Sequence, residues 1–118
     1  VSSANIDALF LTHLHSDHVV DLYQLIISSW HSYRTKPWRI FGPRGTKKFV
    51  KKLMDTWKDE RILRIKNEQR ASIEAFNSKV VEFGKHGKIK IMLIYLNIVL
   101  EMKIRYLGLG GFHLGLIS

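Results

Sequence analysis

Within Thr12-His13-Leu14-His15-Ser16-Asp17-His18, four side chains able to bind a metal ion fall within six positions. Their order is His-x-His-x-Asp-His. Imidazole nitrogens and a carboxylate suit zinc, and also iron or manganese. In an extended segment, alternation puts His13 and His15 on the same side of the chain. Asp17 and His18 follow where the chain leaves the extended segment, so they can approach from another direction. Four ligands arriving from two directions could serve two adjacent metal ions. Such an arrangement can bind and activate water.

The flanking residues must position these ligands. Ile6-Asp7-Ala8-Leu9-Phe10-Leu11 reads as a strand leading into the motif. Residues 19–34 read as a strongly apolar, substantially buried helix, with Val19, Val20, Leu22, Tyr23, Leu25, Ile26, Ile27 and Trp30 recurring at mixed three- and four-residue spacings. Asp17 or Ser16 is expected to cap its start. The residue before Pro37 disfavours helical geometry, so the helix should fray by Thr35. Trp38-Arg39-Ile40-Phe41 is the next strand candidate. Gly42-Pro43-Arg44-Gly45 then reads as a turn, with Thr46 capping a helix that runs to about Trp57. This turn lacks the Gly-x4-Gly-Lys-Ser/Thr pattern of a phosphate-cradling loop. Residues 59–73 are charged and weakly periodic, and read as a loop with a short helix. Ser78-Lys79-Val80-Val81-Glu82-Phe83 is a strand candidate, followed by the turn Gly84-Lys85-His86-Gly87. A further strand at 89–96 would pair with it as a hairpin.

The order strand, ligand motif, helix resembles the signature of the metallo-β-lactamase superfamily. The Gly-Pro segment after the motif helix is similar to that of its ribonuclease Z and arylsulfatase-like branches. The resemblance implies an α/β fold, the four-layer αββα sandwich, of which this chain would form about one half. It covers residues 1–87, whereas 88–118 form a tail without resemblance, either divergent or frameshifted. The implied cofactor is zinc as two ions, with iron or manganese as substitutes. His13 and His15 would bind the first ion, and Asp17 and His18 the second, with Asp17 also orienting the attacking water. The implied function is metal-dependent hydrolysis of an ester-type substrate, a phosphodiester or sulfate ester. Family members add a later His to each metal site and an Asp that bridges the two. Here the later histidines are His86, in a turn, and His113, in a context unlike the family's, and no Asp follows Asp59. The alternative is therefore a catalytically inactive truncated fragment that keeps only part of the metal site.

Bulk composition narrows the field. With 118 residues and 46% hydrophobic residues, the chain suits one domain with a modest core. It has no cysteine, which excludes disulfides and thiolate ligands and suits a cytoplasmic protein. The first residues carry no basic and apolar leader, and the strand before the motif begins almost at once, as in a piece of a longer protein. The longest apolar run, 89–100, falls short of the ~20 residues that a membrane-spanning helix requires. The net charge of +9 draws on Arg34, Lys36, Arg39, Arg44, Lys47, Lys48, Lys51 and Lys52. Such a field could attract a small-molecule or RNA-type anionic substrate. Lys47, Lys48, Lys51 and Lys52 have the spacing of one solvated helix face, opposite Phe49, Val50, Leu53, Met54 and Trp57. A basic RNA-binding module needs exposed aromatic rings near its charges. Trp30 and Trp57 fall on apolar faces instead, and only Trp38 is ambiguous. An open, half-built sheet would favour homo-oligomers.

Overall fold

Four consecutive residues, Ala8, Leu9, Phe10 and Leu11, are buried in the strand β1 (Ile6–Leu11). A run without polar alternation is the pattern of a parallel strand covered on both faces. The computed structural model describes residues 2–84 and the strand at 113–117. Its four-stranded sheet has the order β3-β2-β1-β4, with β2 at Trp38–Pro43, β3 at Ser78–Phe83 and β4 at His113–Ile117. Every pairing is parallel. Leu9 aligns with Ile40 and Phe10 with Phe41, and Ile40 aligns in turn with Val80. Leu9, Leu11, Trp38 and Ile40 face the helices and share one core with Leu22, Ile26 and Val50. On the opposite face, Phe10 stacks on Phe41 at 4.8 Å. Helices joining parallel strands make this an α/β fold.

The helix after the motif is broken rather than continuous. A short α1 (Ser16–Val19) is separated from α2 (Leu22–His31) by Val20, which is exposed, and Asp21. Neither Asp17 nor Ser16 caps its start: His15 occupies the N-cap position, without a side-chain bond. The helical path ends at His31, and Tyr33 takes a positive φ of 65°. Arg34, counted above among the surface charges, is instead buried at 1% exposure. Its guanidinium donates to the carbonyl oxygens of Ala4, Ile6, Lys36 and Pro37, and lies 3.9 Å from the Trp38 ring centre.

Strand β2 continues through Gly42 and Pro43, so the turn is only Arg44-Gly45. Helix α3 (Thr46–Thr56) then starts from Gly45 at a φ of 100°, a left-handed value that glycine adopts without strain. Thr46 does not cap it. Its hydroxyl donates to Pro43 O at 2.7 Å, and Glu82 of β3 accepts from the Gly45 and Lys47 amides at 3.0 and 2.9 Å. Gly42 has no room for a side chain, because an added Cβ would lie 2.3 Å from the Thr46 hydroxyl.

Residues 59–73 are not mainly loop. Lys58–Glu68 form an eleven-residue helix, α4. Glu60–Arg64 and Arg64–Glu68 pairs lace its surface, and His31 and Tyr23 of α2 bond to Glu68 and Glu60. Trp38 is fully buried, whereas Trp57 is 45% exposed and stacks on Tyr23. Among the described residues, no helix is long and apolar enough to cross a membrane. The hairpin strand expected at 89–96 and the turn holding His86 lie outside the described residues.

Candidate functional site

The ligand motif leaves the C-terminal end of β1, where the sheet delivers it to the surface. Thr12 follows the last strand residue, and His15 is still extended at φ −65°, ψ 143°. The extended path places His13 and His15 together, as alternation requires, with ring centres 4.8 Å apart. Helix α1 then folds His18 back onto His13, at 4.1 Å between ring centres. Asp17 reaches His18, its carboxylate 3.3 Å from Nε2. The structure thus gathers the imidazoles of His15 and His18 around that of His13 and sets the Asp17 carboxylate beside His18.

Thr12 Oγ1 lies 2.9 Å from His13 Nδ1. When Nδ1–H donates to that hydroxyl, the lone pair of Nε2 is left for a ligand bond. His13 and His18 are half-buried, while His15 and Asp17 are exposed. Among the described residues, no three His, Asp or Glu side chains are already arranged to hold a metal ion. The donor set nevertheless fits one in chemistry and proximity, because nitrogen and oxygen donors sit side by side. The exposed His15 and Asp17 have space to turn their donor atoms inward.

Of His86 and His113, only His113 falls within the described residues, and its backbone does not lie beside this cluster. His86 lies outside the described residues. His113 opens β4, and its backbone aligns with Ile6, whereas Ile117 aligns with Leu11. His113 therefore sits at the end of the sheet opposite the motif. Four strand rises separate His113 from Ile117, about 13 Å at ~3.3 Å per residue.

Sequence reasoning missed a neighbour of the motif. Strands β1 and β2 run parallel in register, so the turn after β2 emerges beside the motif. Gly45 borders Leu14, between His13 and His15: a Cβ there would meet Leu14 Cδ1 at 3.5 Å. The basic helix α3 thus begins next to the ligand loop. Only the pairing of two strands some thirty residues apart reveals this, and no local pattern carries it.

Comparison with known proteins gives a consistent name. The chain is similar to ribonuclease Z. It is 35% identical over 57 residues to ribonuclease Z of Nanoarchaeum equitans, a match covering 48% of this chain and 18% of that protein. It is 49% identical over 53 residues to ribonuclease Z of Mycolicibacterium paratuberculosis, covering 42% and 19% respectively. The longer match, to ribonuclease Z of Shouchella clausii, is 33% identical over 85 residues, covering 64% and 27%. The chain therefore spans between 18% and 27% of the length of these curated relatives. No protein-family model matches it, and no solved structure does.

Proposed function

We propose that this chain carries part of the metal centre of a metallo-β-lactamase-type hydrolase that cleaves phosphodiester bonds in RNA. The observation that carries the proposal is the packing of His13, His15 and His18 at the C-terminal end of β1, beside Asp17. The similarity to ribonuclease Z favours RNA phosphodiesters, and nothing in it supports sulfate esters. On this reading the sheet and its helices form about half of an αββα sandwich, and the protein works in the cytoplasm.

His13 and His15 would hold one zinc ion, and Asp17 and His18 a second, with iron or manganese as substitutes. When bound, such ions lower the pKa of water toward neutrality and make hydroxide available at pH 7. Thr12 fixes the ring of His13 in orientation, as a hydrogen-bonded neighbour does for a ligand imidazole. Asp17 accepts a hydrogen bond from water and aims it at phosphorus, the geometric part of its role. Its neighbour His18, 3.3 Å away, holds the exposed carboxylate beside the cluster. The remaining ligands come from a second chain, since β4 carries His113 to the far end of the sheet.

That placement, with no Asp after Asp59, favours a second reading: a catalytically inactive fragment that keeps part of the site. Elemental analysis of the purified chain, beside a His13→Ala/His15→Ala variant, decides between them. About two equivalents of zinc, iron or manganese, lost in the variant and accompanied by RNA cleavage, is the expected result for the hydrolase. Negligible metal in both proteins, without cleavage, establishes the inactive fragment.

A further inference from the structure

The sequence assigns Lys47, Lys48, Lys51 and Lys52 to an ordinary solvated face. In the structure all four are exposed on α3, together with Arg44 in the turn before it. Lys51 pairs with Asp55 at 2.5 Å. The acid nearest the start of the helix, Glu82, is committed to the Gly45 and Lys47 amides. The opposite side of the helix is anchored, with Val50 in the core and Phe49, Leu53 and Met54 packed against it. The lysines are thus displayed on a fixed rod. That rod starts where Gly45 meets Leu14, inside the ligand motif.

From Lys47 to Lys52 the row advances about 7–8 Å at ~1.5 Å per residue, with Arg44 in the turn ahead of it. Lys48 and Lys52, one turn apart, stand about 5–6 Å from each other. The row therefore leads away from the histidine cluster with regularly spaced cations. We propose that the exposed face of α3, from Arg44 through Lys48 to Lys52, is a track for the phosphate backbone of single-stranded RNA whose scissile bond lies at the His13–His18 loop. This inference rests on the function proposed above and adds the surface that holds the substrate. Charge complementarity selects the occupant: a backbone with one negative charge per nucleotide matches a line of cations whose one acidic partner among the described residues is Asp55. The track positions without reading sequence, because phosphate contacts carry no base information.

The test uses the whole chain and a labelled single-stranded RNA of about 12 nucleotides, within the site sizes of single-strand binders. Affinity is measured across salt concentrations with a chelator present, so that bound metal plays no part. Lys48→Gln/Lys52→Gln is compared with Lys66→Gln/Lys79→Gln, which removes the same charge from exposed positions on α4 and β3. The track variant should bind several-fold more weakly, with a salt slope shallower by about 1 to 1.5, given ~0.7 per phosphate on a single strand. The α4/β3 variant and Lys48→Arg/Lys52→Arg should stay near the parent. Equal losses in the two glutamine variants would overturn the track, since net charge alone would explain them. So would an unchanged track variant, loss of parental binding on chelation, or equally tight binding of polyglutamate. Metal content is a separate readout, so failure of the metal centre and failure of the track are distinguishable.

Discussion

Arg34 ties together parts of the chain that side-chain packing alone would leave apart. Its donors reach Ala4 and Ile6 at the start of β1, and Lys36 and Pro37 just before β2. Burial pulls its guanidinium down to about 10, with Asp7 opposing, so it stays charged at neutral pH. Removing it would strand several carbonyls in a dry site, and each unsatisfied buried group costs about 1–3 kcal/mol. Arg34→Met should therefore destabilise the fold by about 3–5 kcal/mol, seen as a lower urea midpoint. Arg34→Lys should recover only part of this, because an ammonium cannot reproduce the planar fork. No pattern in the sequence marked this residue, since arginine is almost never fully buried and the Arg34–Lys52 stretch reads as a basic surface. The histidine cluster, by contrast, could be read directly. His13 and His15 are two residues apart on an extended segment, and His18 returns within one helical turn. Their meeting follows from local geometry and needs no distant contact.

Elements resolve along the same line between local and distant causes. Strands β1 and β3 and the span of α3 follow from short-range apolar patterning, and the sequence places them correctly. The helix cap is different. Thr46 has the right residue type and position, yet its hydroxyl turns back to Pro43 O, and the cap comes from Glu82, two elements later. A carboxylate at a helix N-terminus satisfies free amides and also meets the positive end of the helix dipole. Glu82→Ala should cost about 1 kcal/mol and speed hydrogen exchange at the Gly45 and Lys47 amides. Glu82→Gln should lose less, since it keeps the acceptor and drops only the charge. Unchanged exchange at both amides in Glu82→Ala would exclude the cap. The full length of helix α4 is not legible in the sequence for a related reason. Ile62 and Leu63 are exposed, at 52% and 60%, so the helix has no clean apolar stripe to announce it. Its support comes from Glu60–Arg64 and Arg64–Glu68 pairs and from α2, through Tyr23 and His31.

For the whole molecule, the decisive pairing is the one most remote in sequence, β1 with β4. Parallel strands cannot be joined by a tight turn, so a long connection separates every parallel pair. Nothing near Gly110-Gly111-Phe112-His113-Leu114-Gly115 points to a partner at Ile6–Leu11, and glycine is depleted in strands. The tail therefore reads as a glycine-rich end, whereas the structure pairs residues 113–117 with β1 from Ile6 to Leu11. That docking protects the strand whose end carries the ligand motif. Removing residues 113–118 would expose the backbone edge of β1 beside four consecutive buried residues, Ala8–Leu11. An uncovered apolar edge is a template for pairing with another chain. The truncated protein should therefore self-associate in light scattering at concentrations where the intact chain does not. Its histidine cluster should also lose order, because His13 and His15 inherit their placement from β1. A truncated chain with the same molecular mass and melting temperature as the parent would show that β4 neither covers that edge nor steadies the motif.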